Sequence, residues 1–175
     1  GFKEQLNWLE QDLINANDHR DEQPWIFVYG HRPIYQGNNM NINLQLAMED
    51  LFYKYNVDIY FTGHIHSYER TWPTYQGKVL STDPQTAYIN PLSTIYLVLG
   101  GAGNDEMEDT NIPDPTAFFS YKNYSDGDYG PWSASVDLHH FGIGKVNVLN
   151  STTLRFDYIQ TSIDHVYDSI VIQKT

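Results

Sequence analysis

Two short apolar runs in this chain end in the same way. Trp25-Ile26-Phe27-Val28-Tyr29 follows Pro24 and runs into Gly30-His31; Val57-Asp58-Ile59-Tyr60-Phe61 runs through Thr62 into Gly63-His64-Ile65-His66. Both are rich in β-branched and aromatic residues and have the length of buried strands. Between them Leu44, Ala47, Met48, Leu51, Phe52 and Tyr55 recur at helical spacing and form one apolar stripe. Strand, helix and strand in this order predict a right-handed βαβ unit with parallel strands. That unit constrains everything else. It places both Gly-His ends at the carboxyl edge of one sheet, where ligand crevices of open α/β sheets lie.

The remainder can be laid around this unit. Phe2, Leu6, Leu9 and Leu13 mark an amphipathic first helix, and the polar residues 17–21 end it. Residues 30–43, rich in Gly, Asn and Pro, read as a loop. Met48 reads as core filler. Ile95-Tyr96-Leu97-Val98-Leu99 predicts a third strand, stopped by Gly100-Gly101. Residues 103–131 are acidic and rich in Pro and Gly, which predicts a long surface loop. Apolar and polar residues alternate near 144–148, 154–158 and 170–172, predicting three half-buried antiparallel strands in hairpin order. A length of 175 residues suits one domain.

Charge and composition exclude whole classes of function. There are 10 Lys and Arg against 22 Asp and Glu, a net charge of −12, and no basic cluster. Nucleic-acid binding needs Lys/Arg stripes facing phosphates, so it is not expected. No apolar run approaches the ~20 residues that span a bilayer, so no membrane partner is expected. The absence of cysteine removes disulfides and thiolate chemistry. Two Asn-x-Ser/Thr triplets, at Asn123 and Asn150, are candidate glycosylation sites and favour a secreted protein.

The histidines at the strand ends carry the chemistry. His64 and His66 stand two apart, so in a continuing strand they point to one face about 7 Å apart, and in a turn they splay to adjacent points. Either arrangement suits two neighbouring metal ions, one imidazole each, better than one shared ion. Imidazole is the commonest metal ligand. His19, His139, His140 and His165 read as ordinary structural or surface residues, although His139-His140 forms a pair just before a strand.

The residues around these histidines narrow the reading. Val28-Tyr29-Gly30-His31-Arg32-Pro33 fits V-x-x-H followed by x-P, and Gly63-His64-Ile65-His66-Ser67-Tyr68-Glu69-Arg70 fits G-H-x-H followed by x-Y-E-R. In this order, with a helix between, the blocks resemble the purple acid phosphatases of the metallophosphoesterase superfamily. Trp8-Leu9-Glu10-Gln11-Asp12-Leu13 resembles the family helix before the first block. Tyr96-Leu97-Val98-Leu99-Gly100-Gly101-Ala102-Gly103-Asn104 resembles its later strand and Gly-rich loop. Trp132-Ser133-Ala134 and the residues from Tyr158 onward resemble its C-terminal hairpins.

The resemblance implies an α/β fold: the C-terminal half of a two-sheet β-sandwich flanked by helices, with a βαβ unit followed by antiparallel hairpins. Residues 1–175 would be the C-terminal portion of a single catalytic domain. It implies hydrolysis of phosphate monoesters at acid pH by a dinuclear metal centre, Fe(III) plus a divalent Zn, Mn or Fe. His31 and His64 would hold the divalent ion and His66 the ferric one. Tyr68, Glu69 and Arg70 would hold the loop that follows. It also implies a secreted or lysosomal/vacuolar location. The family's D-x-G, G-D-x-x-Y and G-N-H-[DE] blocks are absent. Asp128-Tyr129-Gly130 spells D-x-G but follows the histidines and reads as a chance match. Asn104 lacks the following His. The expected partners are therefore a phosphomonoester and the N-terminal half of the domain, and the chain alone is expected to be inactive. Two other readings stay open: a metallophosphoesterase acting on phosphodiesters or nucleotides, and a non-catalytic fragment or partner subunit.

Overall fold

A computed structural model describes residues 3–82, 87–103 and 129–175. In chain order the elements begin with α1 (Lys3–Asp18), β1 (Phe27–Tyr29) and a small hairpin of β2 (Tyr35–Gln36) and β3 (Asn39–Met40). A helical stretch follows as α2 (Ile42–Leu44), a π-helical segment (Gln45–Glu49) and α3 (Asp50–Lys54). Then come β4 (Ile59–Thr62), β5 (Tyr68–Thr71), a hairpin of β6 (Thr74–Tyr75) and β7 (Lys78–Val79), β8 (Ala87–Ile89) and β9 (Ile95–Leu99). The chain closes with β10 (Ser133–Asp137), β11 (Gly142–Asn150), β12 (Thr153–Gln160) and β13 (His165–Gln173).

The apolar runs become the heart of a five-stranded sheet ordered β1-β4-β9-β5-β10. The expected parallel unit is present. Phe27 lies opposite Ile59 and Tyr29 opposite Phe61, and β9 continues the parallel set beside β4. The first strand begins later than its apolar run because the Ile26 N–H is taken by the Asp58 side chain at 2.8 Å. Asp58 is buried and also meets Arg20 at 3.2 Å and Lys174 at 2.7 Å, which ties the end of α1 and the C-terminus to the start of β4.

Side-chain alternation then sets the layers. Ile59, Phe61, Tyr68, Ile95 and Leu97 face a second, four-stranded sheet ordered β11-β12-β13-β8. They pack against Tyr88, Leu154, Phe156, Tyr158, Ile170 and Ile172. The intervening Tyr60 and Tyr96 turn to the opposite face, where Leu9, Leu13, Ile34, Tyr35 and Phe52 cover them. The result is a layer of helices and hairpins over two mixed sheets, the second being an antiparallel meander with β8 added parallel to β13.

The expected β11-β12-β13 meander is present and antiparallel throughout. Other expectations are corrected. Tyr68-Glu69-Arg70, for which no element was expected, forms a strand in the interior of the first sheet. Ser133 and Ala134 belong to β10 in the same sheet, antiparallel to β5, and not to a C-terminal hairpin. The stretch 30–43 contains the β2–β3 hairpin. The second helix is interrupted by a π-helical segment that sets Glu49 inward, where the Tyr35 and Tyr96 hydroxyls and the Gln76 N–H donate to its carboxylate. The expected loop at 103–131 lies mostly outside the described residues, as do Asn104, Asn123 and Asp128. Among the described residues no helix is long and apolar enough to cross a membrane.

Candidate active site

Backbone pairing carries the parallel strands past their formal ends. The Gly30 N–H donates to the Phe61 carbonyl at 3.0 Å, and the Gly63 N–H donates to the His31 carbonyl at 3.2 Å. His31 and His64 are thereby held side by side. His64 takes φ +65°, the left-handed region that side chains with a Cβ seldom occupy. Such conformations persist where surrounding structure enforces them, and they cluster at functional sites. Here the enforcement comes from short turns in which Ile65 N–H reaches Gly63 O at 2.8 Å and Ser67 N–H reaches Ile65 O at 2.9 Å. The end of β9 presses on the same turn. The Gly100 N–H donates to Ser67 O at 3.1 Å, and a Cβ at Gly100 would lie 1.9 Å from the Ile65 carbonyl oxygen.

Two of the three expected histidines therefore meet. The His31 and His64 rings lie 5.0 Å apart, edge to face at 70°, with His64 Nδ1 at 3.2 Å from His31 Nε2. Arg32 Nη1 stands 2.9 Å from His64 Nε2. A guanidinium can only donate, so His64 Nε2 accepts and Nδ1 carries the proton given to His31. Burial pushes the His64 pKa down, and the positive Arg32 with the neighbouring His31 and His66 push it the same way. The neutral ring, the form that ligates metals, is favoured. His66 is half-buried and close enough to act on His64 electrostatically. Among the described residues no three His, Asp or Glu side chains converge on one ion-sized point.

The Tyr-Glu-Arg strand anchors the turn from both faces of the sheet. Tyr68 and Arg70 point toward the second sheet and meet one carboxylate. The Tyr68 hydroxyl donates to Asp168 at 2.5 Å, and Arg70 donates to both Asp168 oxygens at 2.6 and 3.0 Å. Arg70 also donates to the Tyr88 hydroxyl at 2.8 Å. Burial would raise the Asp168 carboxyl, but the Arg70 guanidinium together with the Tyr68 and Ser135 hydroxyls outweighs it and holds that carboxyl below its ordinary range. Glu69 points the other way, where the Gly37 N–H and the Ser133 hydroxyl donate to it. Burial raises its pKa.

The other histidines stay apart from this cluster. His19 bonds the Asn15 carbonyl at 2.8 Å, His140 bonds Asp137 at 3.0 Å, and His165 is exposed at the start of β13. Sequence alone assigns Arg32 and Gly100 no part in the site. Their signals were a cation next to a ligand-type His and a glycine pair closing a strand. A cleft of about 570 Å³ opens between α1 and β1 and reaches His31 and Arg32, with Trp8 and Tyr29 on its walls. Both aromatics are largely exposed, at 63% and 72%.

The geometry can be set beside known proteins. Residues 2–68 match the family model described as calcineurin-like phosphoesterase, and residues 93–169 match that of iron/zinc purple acid phosphatase-like protein C. The chain belongs to the purple acid phosphatase family. Within that family it is 34% identical to acid phosphatase type 7 of Homo sapiens, over 91% of this chain and 36% of that protein. It is 30% identical to a nucleotide pyrophosphatase/phosphodiesterase of Hordeum vulgare, over 97% of this chain and 44% of that one. The solved purple acid phosphatase from seeds of Lupinus luteus superposes with a TM-score of 0.75 at 28% identity, over 98% of this chain and 28% of that one. The chain thus spans well under half of the relatives it matches. The α/β architecture expected from the sequence agrees with this likeness. The family consists of phosphoesterases, and its model names iron and zinc.

Proposed function

We propose that residues 1–175 form the C-terminal portion of a single catalytic domain that hydrolyses phosphate monoesters under acidic conditions at a dinuclear metal centre. The observation that carries this reading is the pair of imidazoles, His31 and His64, in ring-to-ring contact at the carboxyl ends of two parallel strands. The donor set fits the group. His64 is half-buried, its burial and the neighbouring Arg32 bias it toward the uncharged form, and imidazole nitrogens suit zinc, iron and manganese. His31 and His64 would hold a divalent Zn, Mn or Fe ion, and His66 the neighbouring Fe(III). When bound, two cations polarise a phosphoester and offset its developing negative charge.

The chain's own residues would serve that centre in distinct ways. Arg32 fixes the His64 tautomer through Nε2 in the arrangement seen here and stands beside the site as a cation in a chain of net charge −12. The left-handed turn at His64 aims the ring, and Gly100 lets β9 brace the turn. Tyr68, Glu69 and Arg70 act as positioning residues through β5. Three imidazoles over two ions leave coordination positions open, so further ligands would come from the N-terminal half of the domain. Support for that half comes from β1, which pairs only with β4 among the described residues and is flanked by the cleft holding exposed Trp8 and Tyr29. Secretion or delivery to a lysosome or vacuole accompanies this reading, with a phosphomonoester as substrate.

The Hordeum vulgare relative supports a second reading, hydrolysis of phosphodiesters or nucleotides at the same centre. One experiment separates the two. The full-length protein is assayed for bound metal and for hydrolysis of a chromogenic phosphomonoester and phosphodiester, as wild type, His64→Ala and His165→Ala. Loss of a residue that merely supports a ligand costs roughly 10–100-fold in metal affinity or activity, so His64→Ala should cost at least that. His165→Ala should change little. Equal effects of the two substitutions would end the ligand assignment, and preferential turnover of the diester would favour the second reading. The isolated chain 1–175 is expected to bind metal weakly and to show no phosphatase activity.

A further inference from the structure

Arg32 donates from Nη1 to His64 Nε2 at 2.9 Å, and His64 Nδ1 donates to His31 Nε2 at 3.2 Å. A histidine binds a metal ion as the neutral ring, with one nitrogen on the ion and the single ring proton on the other. If His64 ligates through Nδ1, its proton sits on Nε2, and two donors then face each other, because a guanidinium accepts nothing. If His64 ligates through Nε2, the ion takes the place where the guanidinium stands. The Arg32–His64 bond and a metal ion on His64 therefore exclude one another, whichever nitrogen is used.

Arg32 is suited to a change of partner. Its side chain is exposed, but its backbone is fixed. The buried Tyr60 donates its hydroxyl to the Arg32 carbonyl at 3.0 Å, and the next residue, Pro33, is buried. The guanidinium can thus swing about a stationary root without displacing His31 beside it. Arg32 also lines the cleft between α1 and β1 together with His31. The other three arginines are committed to aspartates: Arg20 to Asp58, Arg70 to Asp168 and Arg155 to Asp157. Arg32 is the arginine that stands at the histidines.

We propose that Arg32 is a phosphate-binding residue, handed from His64 to a pair of substrate phosphate oxygens when His64 takes up its metal ion. This inference rests on the metal-centre reading above. The exchange balances. Ligation through Nδ1 moves the ring proton to Nε2 with no net proton released, and ligation through Nε2 leaves it on Nδ1. The guanidinium gives up one neutral nitrogen acceptor and gains two anionic oxygens. Its planar fork matches such a pair, and hydrogen bonds to an ionised acceptor are roughly twice as strong as neutral ones. Toward the metal ion Arg32 is a competitor; toward the phosphate it is a partner.

The test uses the full-length protein as wild type, Arg32→Met and Arg32→Lys, with Zn(II) and inorganic phosphate as probes. Zinc affinity is measured against a competing chelator, and phosphate affinity by calorimetry on the zinc-loaded protein. Arg32→Met is expected to bind zinc roughly fivefold more tightly, because one ordinary hydrogen bond no longer has to be broken. It should bind phosphate roughly 10–100-fold more weakly, the worth of a hydrogen bond to a charged group. Arg32→Lys keeps the charge without the fork and should fall between wild type and Arg32→Met for phosphate. Both affinities falling together would mark a merely structural residue and overturn the proposal. Nitrogen-15 NMR of histidine-labelled wild type adds a readout independent of turnover: the signal of the unprotonated His64 Nε2 should vanish when zinc is added. Persistence of that signal in the zinc-loaded protein would overturn the inference together with the metal-centre reading. Its loss, with wild-type phosphate affinity in Arg32→Met, would overturn the inference alone. If Arg32→Met fails to fold, undiminished phosphate affinity in Arg32→Lys overturns it in the same way.

Discussion

The Glu69 carboxylate accepts the backbone N–H of Gly37 at 2.6 Å. Gly37 is the left-handed turn residue of the β2–β3 hairpin, and its carbonyl in turn accepts the Gly130 N–H at 2.8 Å. One buried side chain on the strand leaving His66 thereby fixes the hairpin that begins just after His31. Glu69→Ala would orphan both the Gly37 N–H and the Ser133 hydroxyl. Leaving a buried polar group unpaired costs about 1–3 kcal/mol, so a total loss of roughly 2–4 kcal/mol is expected on chemical denaturation. Glu69→Gln can accept from Gly37 and donate to Ser133, and should retain the wild-type midpoint or exceed it. Equal losses in the two variants would refute the latch.

The same residue gives a pH dependence of fixed sign. Burial raises the Glu69 pKa above its ordinary 4.5. The native state therefore holds that proton more tightly than the unfolded chain does. The contribution is fully present below pH 4.5 and is lost as pH rises through the raised value. Glu69→Gln never acquires the buried charge. Its Tm relative to wild type should be near zero in acid and grow positive toward neutrality. A difference that is flat with pH would show that the carboxyl titrates normally.

Asp168 behaves in the opposite sense. Its contribution stands above its ordinary 3.8 and is lost only as pH falls through the depressed value. Arg70 is buried and Asp168 largely so, and removing one partner of a buried pair costs about 3–5 kcal/mol. Arg70→Met and Asp168→Asn are each expected to lower stability by that order at neutral pH. The double variant should recover part of the loss. Strict additivity in the double-mutant cycle would argue against direct coupling.

Glycine substitutions separate steric bracing from general loop effects. Alanine at Gly100 would drive its Cβ into the Ile65 carbonyl, whereas Gly63 has open space around the same point. Overpacking of this kind costs about 1–3 kcal/mol and displaces the turn. Gly100→Ala in the full-length protein should lower both stability and metal content, and Gly63→Ala should change either far less. Retention of full metal content by Gly100→Ala would show that β9 does not brace the histidine turn.

The sequence made the βαβ unit and the Gly-His strand ends legible because alternation, helical spacing and glycine stops are local signals. The role of β5 was not legible from the same signals. Tyr68-Glu69-Arg70-Thr71 carries two charges, which argues against a buried interior strand until Asp168 and Ser133 are seen to satisfy them. Ser133–Asp137 is too polar to announce a strand, and it is one only because it pairs with β5. At the candidate site, the proximity of His31 and His64 followed from the parallel pairing. The contact of Arg32 with His64 did not, because it depends on the left-handed turn that a histidine rarely adopts.

The strand order has a consequence for how the molecule is assembled in time. β5 lies between β9 and β10, both of which follow it in the chain, and the second is separated from it by the long acidic stretch. The histidine turn leads straight into β5, so beyond its own short-range hydrogen bonds it is not braced until residues 95–99 and 133–137 have been synthesised and docked. Closing such distant contacts is slow because the chain entropy is lost before the pairing rewards it. The imidazoles would thus reach their working positions among the last events of folding. A refolding experiment followed by histidine resonances should find them ordering after the β11–β12–β13 meander, whose contacts lie between sequence neighbours.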